Sequence, residues 1–317
     1  MHVVNALDVL IGTASGLFAI GSPTDRTTQP GARVAESEPK LPGHEITALV
    51  RDDTHIWMIL DGRSLGRALE DGTWEEIARV QGAPATCLAA SPHGILVGTE
   101  EAHLLRLDGR HLVPLDGFET AEGRRAWHTP WGDPPAVRSL AVSREGTLYV
   151  NVHVGGVLRS SDGGRTWRPT LDIEHDVHQV AVHPDRPGVV LVAAAVGLGV
   201  SRDEGRTWSF ATQGLHARYA RAVAIADDTI FLSASTGPGG RRAAFYRKPL
   251  EGGAFERGGA GLSPWFPSNI DTGCVAAAEA TVAFGTDEGE IYLSRDAGRS
   301  WEQIATGLPA IRAVSVA

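Results

Sequence analysis

The chain has 317 residues and a formal net charge of −9, from 29 basic and 38 acidic side chains. That balance argues against non-specific binding to a phosphate backbone, and no apolar run reaches the ~18 residues of a membrane-spanning helix. Hydrophobic residues make up 42% and charged residues 21%, the proportions of a globular chain rather than a disordered one.

The 38 glycines, and 8 tryptophans against 2 methionines, point to many tight turns and few long helices. The start, MHVVNALDVLIGT, has no basic region and no small-residue cleavage site, so no secretory signal is expected. Cys87 and Cys274 lack metal-ligand spacing and read as buried free thiols in a reducing cytoplasm.

In chain order, DVLIGTASGLFAI and then ARVAES supply short strands near the N-terminus. Groups of four strand-like runs follow at 45–80, 85–118, 137–170, 177–212, 219–257 and 269–306. The group at 137–170 is the clearest, with VRSLAVS, TLYVNVHV, GVLRSS and TWRPT separated by turn residues. A connection of 17 residues, ETAEGRRAWHTPWGDPP at 119–135, separates two groups. The chain ends on a lone strand, AIRAVSVA. No segment carries a convincing 3.6-residue apolar period.

Three octapeptides are near copies: SSDGGRTW at 160–167, SRDEGRTW at 201–208 and SRDAGRSW at 294–301. A degenerate fourth, EDGTW, ends at Trp74. The intervals Trp74 to Trp167 and Trp208 to Trp301 are equal, and roughly double that from Trp167 to Trp208. One unit of about 45 residues explains all three intervals if two copies have lost the signature. Four antiparallel strands per unit predict an all-β fold: a single seven-bladed β-propeller over residues 1–317. The N-terminal strands take positions B, C and D of a blade whose strand A is the C-terminal run. That pairing closes the ring and leaves no open edge between first and last blades.

The octapeptide Ser-x-Asp-x-Gly-x-Thr/Ser-Trp resembles the BNR or Asp-box repeat. That repeat occurs in sialidase-type and sortilin-type propellers, in some glycoside hydrolases and in a photosystem II assembly factor. The resemblance implies that the box lies on the turn between strands C and D, with its aspartate bonding the turn's amides and its tryptophan packing between blades. Local chemistry agrees: Asp162 can accept an amide two residues on as an Asx-turn, Gly164 permits positive φ, and Thr166 and Trp167 open a strand. Asp162, Asp203 and Asp296 are therefore read as structural rather than catalytic. The sialidase branch further implies an arginine triad, a tyrosine–glutamate pair, an aspartate acid and an Arg-Ile-Pro motif. Arg-Ile-Pro is absent from the sequence, and the N-terminal blade offers only Arg26 and Arg33. Of the four tyrosines, Tyr149 and Tyr292 read as strand residues, with Tyr219 and Tyr246 remaining.

Strands alternate in direction, so B–C turns and D–A connections share one face of the ring, here the top. The octapeptides share the other. Six of the 12 histidines fall between His128 and His216, and five map to the top: His128, His153, His175, His178 and His216. His183 belongs to a bottom turn. His128, His153, His178 and His216 are candidate ligands for a divalent transition metal such as zinc, copper, nickel, iron or manganese. Without a metal, His153 or His178 is a candidate general base. The competing reading is that these are ordinary loop histidines or are satisfied by backbone carbonyls.

Arg138 and Arg221 stand out because arginine is unexpected inside an inner strand. With Trp127, Trp131, Trp265 and Asn269 they form the candidate substrate-binding set for a small polar or anionic ligand. The 17-residue connection suits a binding loop or lid. SASTGPGGRR at 233–242 is either an anion cradle or an ordinary turn.

Three functional readings follow. The first is a hydrolase or lyase acting on a small molecule at the top mouth of the channel. The second is a protein-interaction scaffold. The third is a carbohydrate-active enzyme, which needs paired carboxylates from among Asp133, Glu174, Asp176, Asp271 and Glu45.

Overall fold

The computed structural model describes residues 7–21, 38–69 and 73–317. They form a seven-bladed β-propeller. Blade 1 contains Ile46–Arg51, Ile56–Leu60, Ser64–Ala68 and Trp74–Arg79, and blade 2 contains Ala85–Ser91, Gly94–Thr99, Leu104–Asp108 and His111–Pro114. Blade 3 is Val137–Val142, Leu148–Val152, Gly156–Ser160 and Arg168–Leu171. Blade 4 is Val177–Val182, Val190–Ala194, Gly197–Ser201 and Ser209–Ala211. Blades 5 and 6 run Tyr219–Ala226, Thr229–Ser235, Ala244–Pro249, Glu256–Arg257 and Val275–Ala278, Thr281–Gly285, Ile291–Ser294, Glu302–Ala305.

Blade 7 joins the two ends of the chain. The C-terminal strand Ile311–Val316 pairs antiparallel with Leu7–Thr13, which pairs with Gly16–Gly21. Lys40 forms an isolated bridge to Leu17 at the outer side of this sheet. The expected fourth strand ARVAES, together with Arg26 and Arg33, lies outside the described residues, as do the first three residues of EDGTW.

Apolar side chains from adjacent blades interlock to form the core. Between blades 5 and 6, Phe245 stacks on Phe284 at 4.4 Å, and Trp301 meets both edge-on at 5.3 and 5.2 Å. Close approach of neighbouring blades dictates glycine near the end of some second strands. A Cβ on Gly98 would stand 2.4 Å from Val137 Cγ1 of the next blade.

The three octapeptides sit between strands C and D and use their side chains in one pattern. Ser160 Oγ donates to Asp162 Oδ1 (2.8 Å) and accepts the buried Gly164 amide (2.9 Å). Asp162 accepts the amides of Arg165 and Thr166, both at 3.0 Å, and the Thr166 hydroxyl. The carboxylate thus caps amides three and four residues on, not two, because left-handed Gly163 and Gly164 extend the turn. As a result strand D opens at Arg168, after the tryptophan. Trp208 donates to the Thr170 carbonyl of the preceding blade at 3.0 Å, which ties blade 4 to blade 3.

The connection at 119–135 is partly ordered by helical turns. A short helix, Asp116–Glu119, runs into it and a 3₁₀ turn spans Arg124–Ala126. Arg124 pins both, donating to the Ala102 carbonyl (2.7 Å) and Glu119 (2.9 Å) while lying over the Phe118 and Trp127 rings. No helix among the described residues is long and apolar enough to cross a membrane.

Candidate functional site

The inner strands meet at a top-face cavity of about 780 Å³. In six of the seven blades the register slips by one residue near the top of strand A, so one residue there has no partner opposite it on strand B. The extra residues are Thr47, Thr86, Arg138, His178, Arg221 and Arg312. A bulge of this kind releases a residue from the in–out alternation of the sheet and re-aims its side chain. The same device therefore positions the polar groups around the mouth.

His178 is 0% exposed. Its Nδ1–H donates to the Ala220 carbonyl at 2.6 Å. A carbonyl only accepts, so the neutral ring carries its lone pair on Nε2. That nitrogen is buried and has no hydrogen-bond partner, as is also true of Asp176 Oδ1. The two groups face each other: His178 Nε2 stands 3.5 Å from Asp176 Oδ2, and His153 Nε2 stands 3.4 Å from Asp176 Oδ1. These separations are too long for well-formed hydrogen bonds. One ligand atom from each of His153, Asp176 and His178 lies within 4.8 Å of the others. Ligands of a tetrahedral ion with bonds of about 2.0–2.1 Å stand roughly 3.4 Å apart, close to the two imidazole–carboxylate separations, which run to different oxygens of Asp176.

Electrostatics favours the ligating forms of both groups. Burial pushes the His178 pKa down; the Asp176 carboxylate opposes this in part, and the Arg221 and Arg138 charges add to the lowering. His153 and then His178 hold the Asp176 carboxyl well below the usual carboxylate range. A neutral imidazole beside an ionised carboxylate is the form that binds a divalent cation. Asp176 has a left-handed backbone, φ 45°, and this turns its side chain toward both rings. Strain in a non-glycine residue is tolerated where surrounding structure imposes it.

The structure separates the other candidates from this cluster. His128 is exposed, and its Nδ1 bonds the Ala126 carbonyl at 2.8 Å. His175 stacks on Phe210 and bonds Asp172. His216 bonds the Tyr246 hydroxyl at 2.6 Å and packs edge-on against Trp265 at 4.7 Å. Arg242 and Arg257 each lie 4.3 Å from the Trp265 ring centre, so that indole belongs to the His216 neighbourhood. Trp127 packs against Phe118 and Arg124. Trp131, 59% exposed, leans on His153 with ring centres 5.4 Å apart.

Asn269 donates to the Pro238 carbonyl at 3.3 Å and lines an adjoining cavity of about 240 Å³ that shares Asp271 and Arg312 with the first. In the glycine-rich turn beside it, the Gly240 amide donates back to the Gly237 carbonyl, as an ordinary turn does. Arg221 forms a two-pronged ion pair with Asp271, at 2.8 and 2.9 Å. Arg312 bonds Glu45 (2.9 Å) and Asp287 (2.8 Å). Arg138 comes no nearer to a carboxylate than Asp271, at 3.8 Å. Asp176 enters sequence reasoning only as one of five top-face acids. Its place two residues before His178, across the start of an inner strand, is the signal that could have marked it as the third member.

Comparison with known proteins supports the fold. No protein-family profile and no curated protein matches the chain. Among solved structures, a GH74 enzyme from Niastella koreensis matches with 13% identity and a TM-score of 0.60, over 81% of this chain and 45% of that one. An ancestral GH74 enzyme matches with 15% identity and a TM-score of 0.61, over 82% and 38%. The chain thus spans less than half the length of either enzyme. YCF48 bound to a D1 peptide matches with 12% identity and a TM-score of 0.58, over 90% of both chains. At these identities the likeness is one of fold.

Proposed function

We propose that this propeller is a metal-dependent enzyme, of hydrolase or lyase type, acting on a small polar or anionic molecule at its top mouth. One observation carries the reading: the buried, unpartnered Nε2 of His178 and Oδ1 of Asp176 converge with His153. Buried polar atoms without partners are rare and costly, and a divalent ion held by two imidazoles and one carboxylate would satisfy both. The Ala220 carbonyl supplies the outer contact that fixes a ligating histidine's tautomer and orientation.

A bound ion would supply Lewis-acid activation of water or of a substrate carbonyl. The chain's own residues hold and orient the reactants. His153 and Trp131 border the cavity, Arg138 offers a cation, and Asp271, held by Arg221 from behind, forms part of the wall. Zinc, manganese or iron(II) suits such a donor set. The octapeptide geometry supports kinship with Asp-box propellers.

The test is titration of chelator-treated protein with Zn²⁺ and Mn²⁺ by calorimetry. One ion per chain is expected. His153→Ala and His178→Ala should each abolish tight binding while circular dichroism stays native. Undiminished binding in both variants would overturn the reading.

A scaffold role is the second reading. It is favoured by the match in size to YCF48, which was solved with a bound peptide. It predicts no tight ion. The glycoside hydrolase reading loses ground because Asp271 and Glu45 are engaged by arginines and Asp176 faces two imidazoles rather than a second carboxylate.

A further inference from the structure

The mouth carries three arginines at bulge positions, and they are not equivalent. Arg221 is neutralised by Asp271, with both prongs of its guanidinium used. Arg312 is shared by Glu45 and Asp287. Arg138 is 23% exposed in its side chain and makes no hydrogen bond among the described residues. Asp271, at 3.8 Å, is already committed to Arg221.

Arg138 lines the same cavity as His153 and Trp131. Its strand neighbours the one that leads into His153: Val137 pairs with Val152, and the His153 amide donates to the Ala136 carbonyl at 2.8 Å. The one ion pair of Arg138 among the described residues is the long contact to Asp271, which leaves the planar fork of donors free to meet a carboxylate in two-point contact.

We infer that the substrate carries a carboxylate, held by Arg138 beside the His153–Asp176–His178 cluster. A carboxylate suits this place better than a phosphate dianion. Phosphate is usually cradled by several cations or by converging backbone amides. Here the other two arginines are already matched by acids, and the amide of the glycine-rich turn points back into its own loop. The half-exposed Asp271 beside Arg138 would also repel a second negative charge. With Arg138 holding the carboxylate, the adjacent part of the substrate lies toward His153, beneath the Trp131 indole.

The inference rests on the site proposed above, but its test reads a different quantity. Glycolate, glycolamide and inorganic phosphate are the probes, titrated into the full-length protein with and without added Zn²⁺. Glycolate should bind and glycolamide should not. Arg138→Met should weaken glycolate binding roughly 10- to 100-fold, the worth of a charged hydrogen-bonded contact, and Arg138→Lys should restore part of it. Zn²⁺ titration of Arg138→Met reports the metal separately. If Zn²⁺ fails to bind but glycolate still requires Arg138, the metal reading falls and the carboxylate site stands. Three results would overturn the inference: no glycolate binding, equal glycolate affinity in wild type and Arg138→Met, or phosphate binding more tightly than glycolate.

Discussion

Within each octapeptide the serine should matter more to stability than the aspartate. Ser160 is 1% exposed, and its hydroxyl satisfies the Gly164 amide inside the blade. Ser160→Ala leaves that buried N–H without a partner, a loss of about 1–3 kcal/mol. Asp162 accepts more bonds, but the amides of Arg165 and Thr166 that it caps are at the surface. Water replaces the carboxylate there, so Asp162→Ala should cost about 1 kcal/mol, as does loss of an exposed helix cap. The assay is the midpoint of urea unfolding at unchanged slope, which isolates stability from changes in the denatured state. The molecule supplies its own replicates, since Ser201 and Ser294 accept the Gly205 and Gly298 amides at 2.8 and 2.9 Å. Ser160→Ala and Ser294→Ala lie three blades apart and should add to within about 0.5 kcal/mol. The reasoning fails if the aspartate variant is the more destabilised in all three boxes.

Acid should weaken the fold through these same turns. The Thr207 amide and hydroxyl hold the Asp203 carboxyl down at about 2, against an ordinary 3.8, and Thr166 and Ser300 likewise hold Asp162 and Asp296 low. A depressed carboxylate contributes stability that is complete above its unfolded pKa and is lost as pH falls through its folded one. For Asp203 the urea midpoint should therefore decline between about pH 4 and pH 2, and a flat or rising profile there would contradict this. Desolvation pushes both cysteine thiols up to about 12, although only Cys274 is buried as expected and Cys87 is half-buried beside the top cavity. At pH 8 Cys87 and Cys274 should resist iodoacetamide in the native protein and react in urea, so rapid labelling of the folded chain would show the packing around them to be wrong.

The ring was legible in the sequence because its signal is repeated. Three octapeptides, their intervals and the lone terminal strand lead to seven blades and to closure through Ile311–Val316 and Leu7–Thr13. The top-face location of His153 and His178 follows from strand alternation alone. Convergence does not follow, because it depends on loop paths. His128 and His216 share the face with them, yet each finishes against its own neighbours, Ala126 and Tyr246. The role of Asp176 depends on a left-handed turn in a non-glycine residue, which sequence patterns rarely mark. Arginine inside an inner strand was a readable oddity at 138 and 221, and the bulge supplies its cause. The distinction between the two arginines was not readable, since it comes from Asp271, some 50 residues after Arg221 in the connection ahead of blade 6.

The slipped register at the head of six inner strands has a consequence for how such a ring can change. A residue at an ordinary strand position answers to the partner opposite it and to the core beneath it. A residue in the slip has no partner opposite it, so where it faces the opening it can be exchanged with little effect on the pairing that holds its blade. Of these positions, 47, 86, 138 and 312 line the top cavity and act as sockets around it, whereas His178 is fully buried against the Ala220 carbonyl and Arg221 is tied to Asp271. The four sockets hold two threonines and two arginines. Refilling the sockets would redirect what the opening selects while leaving the wheel intact, which makes them the first positions to randomise when searching for a new specificity on this scaffold.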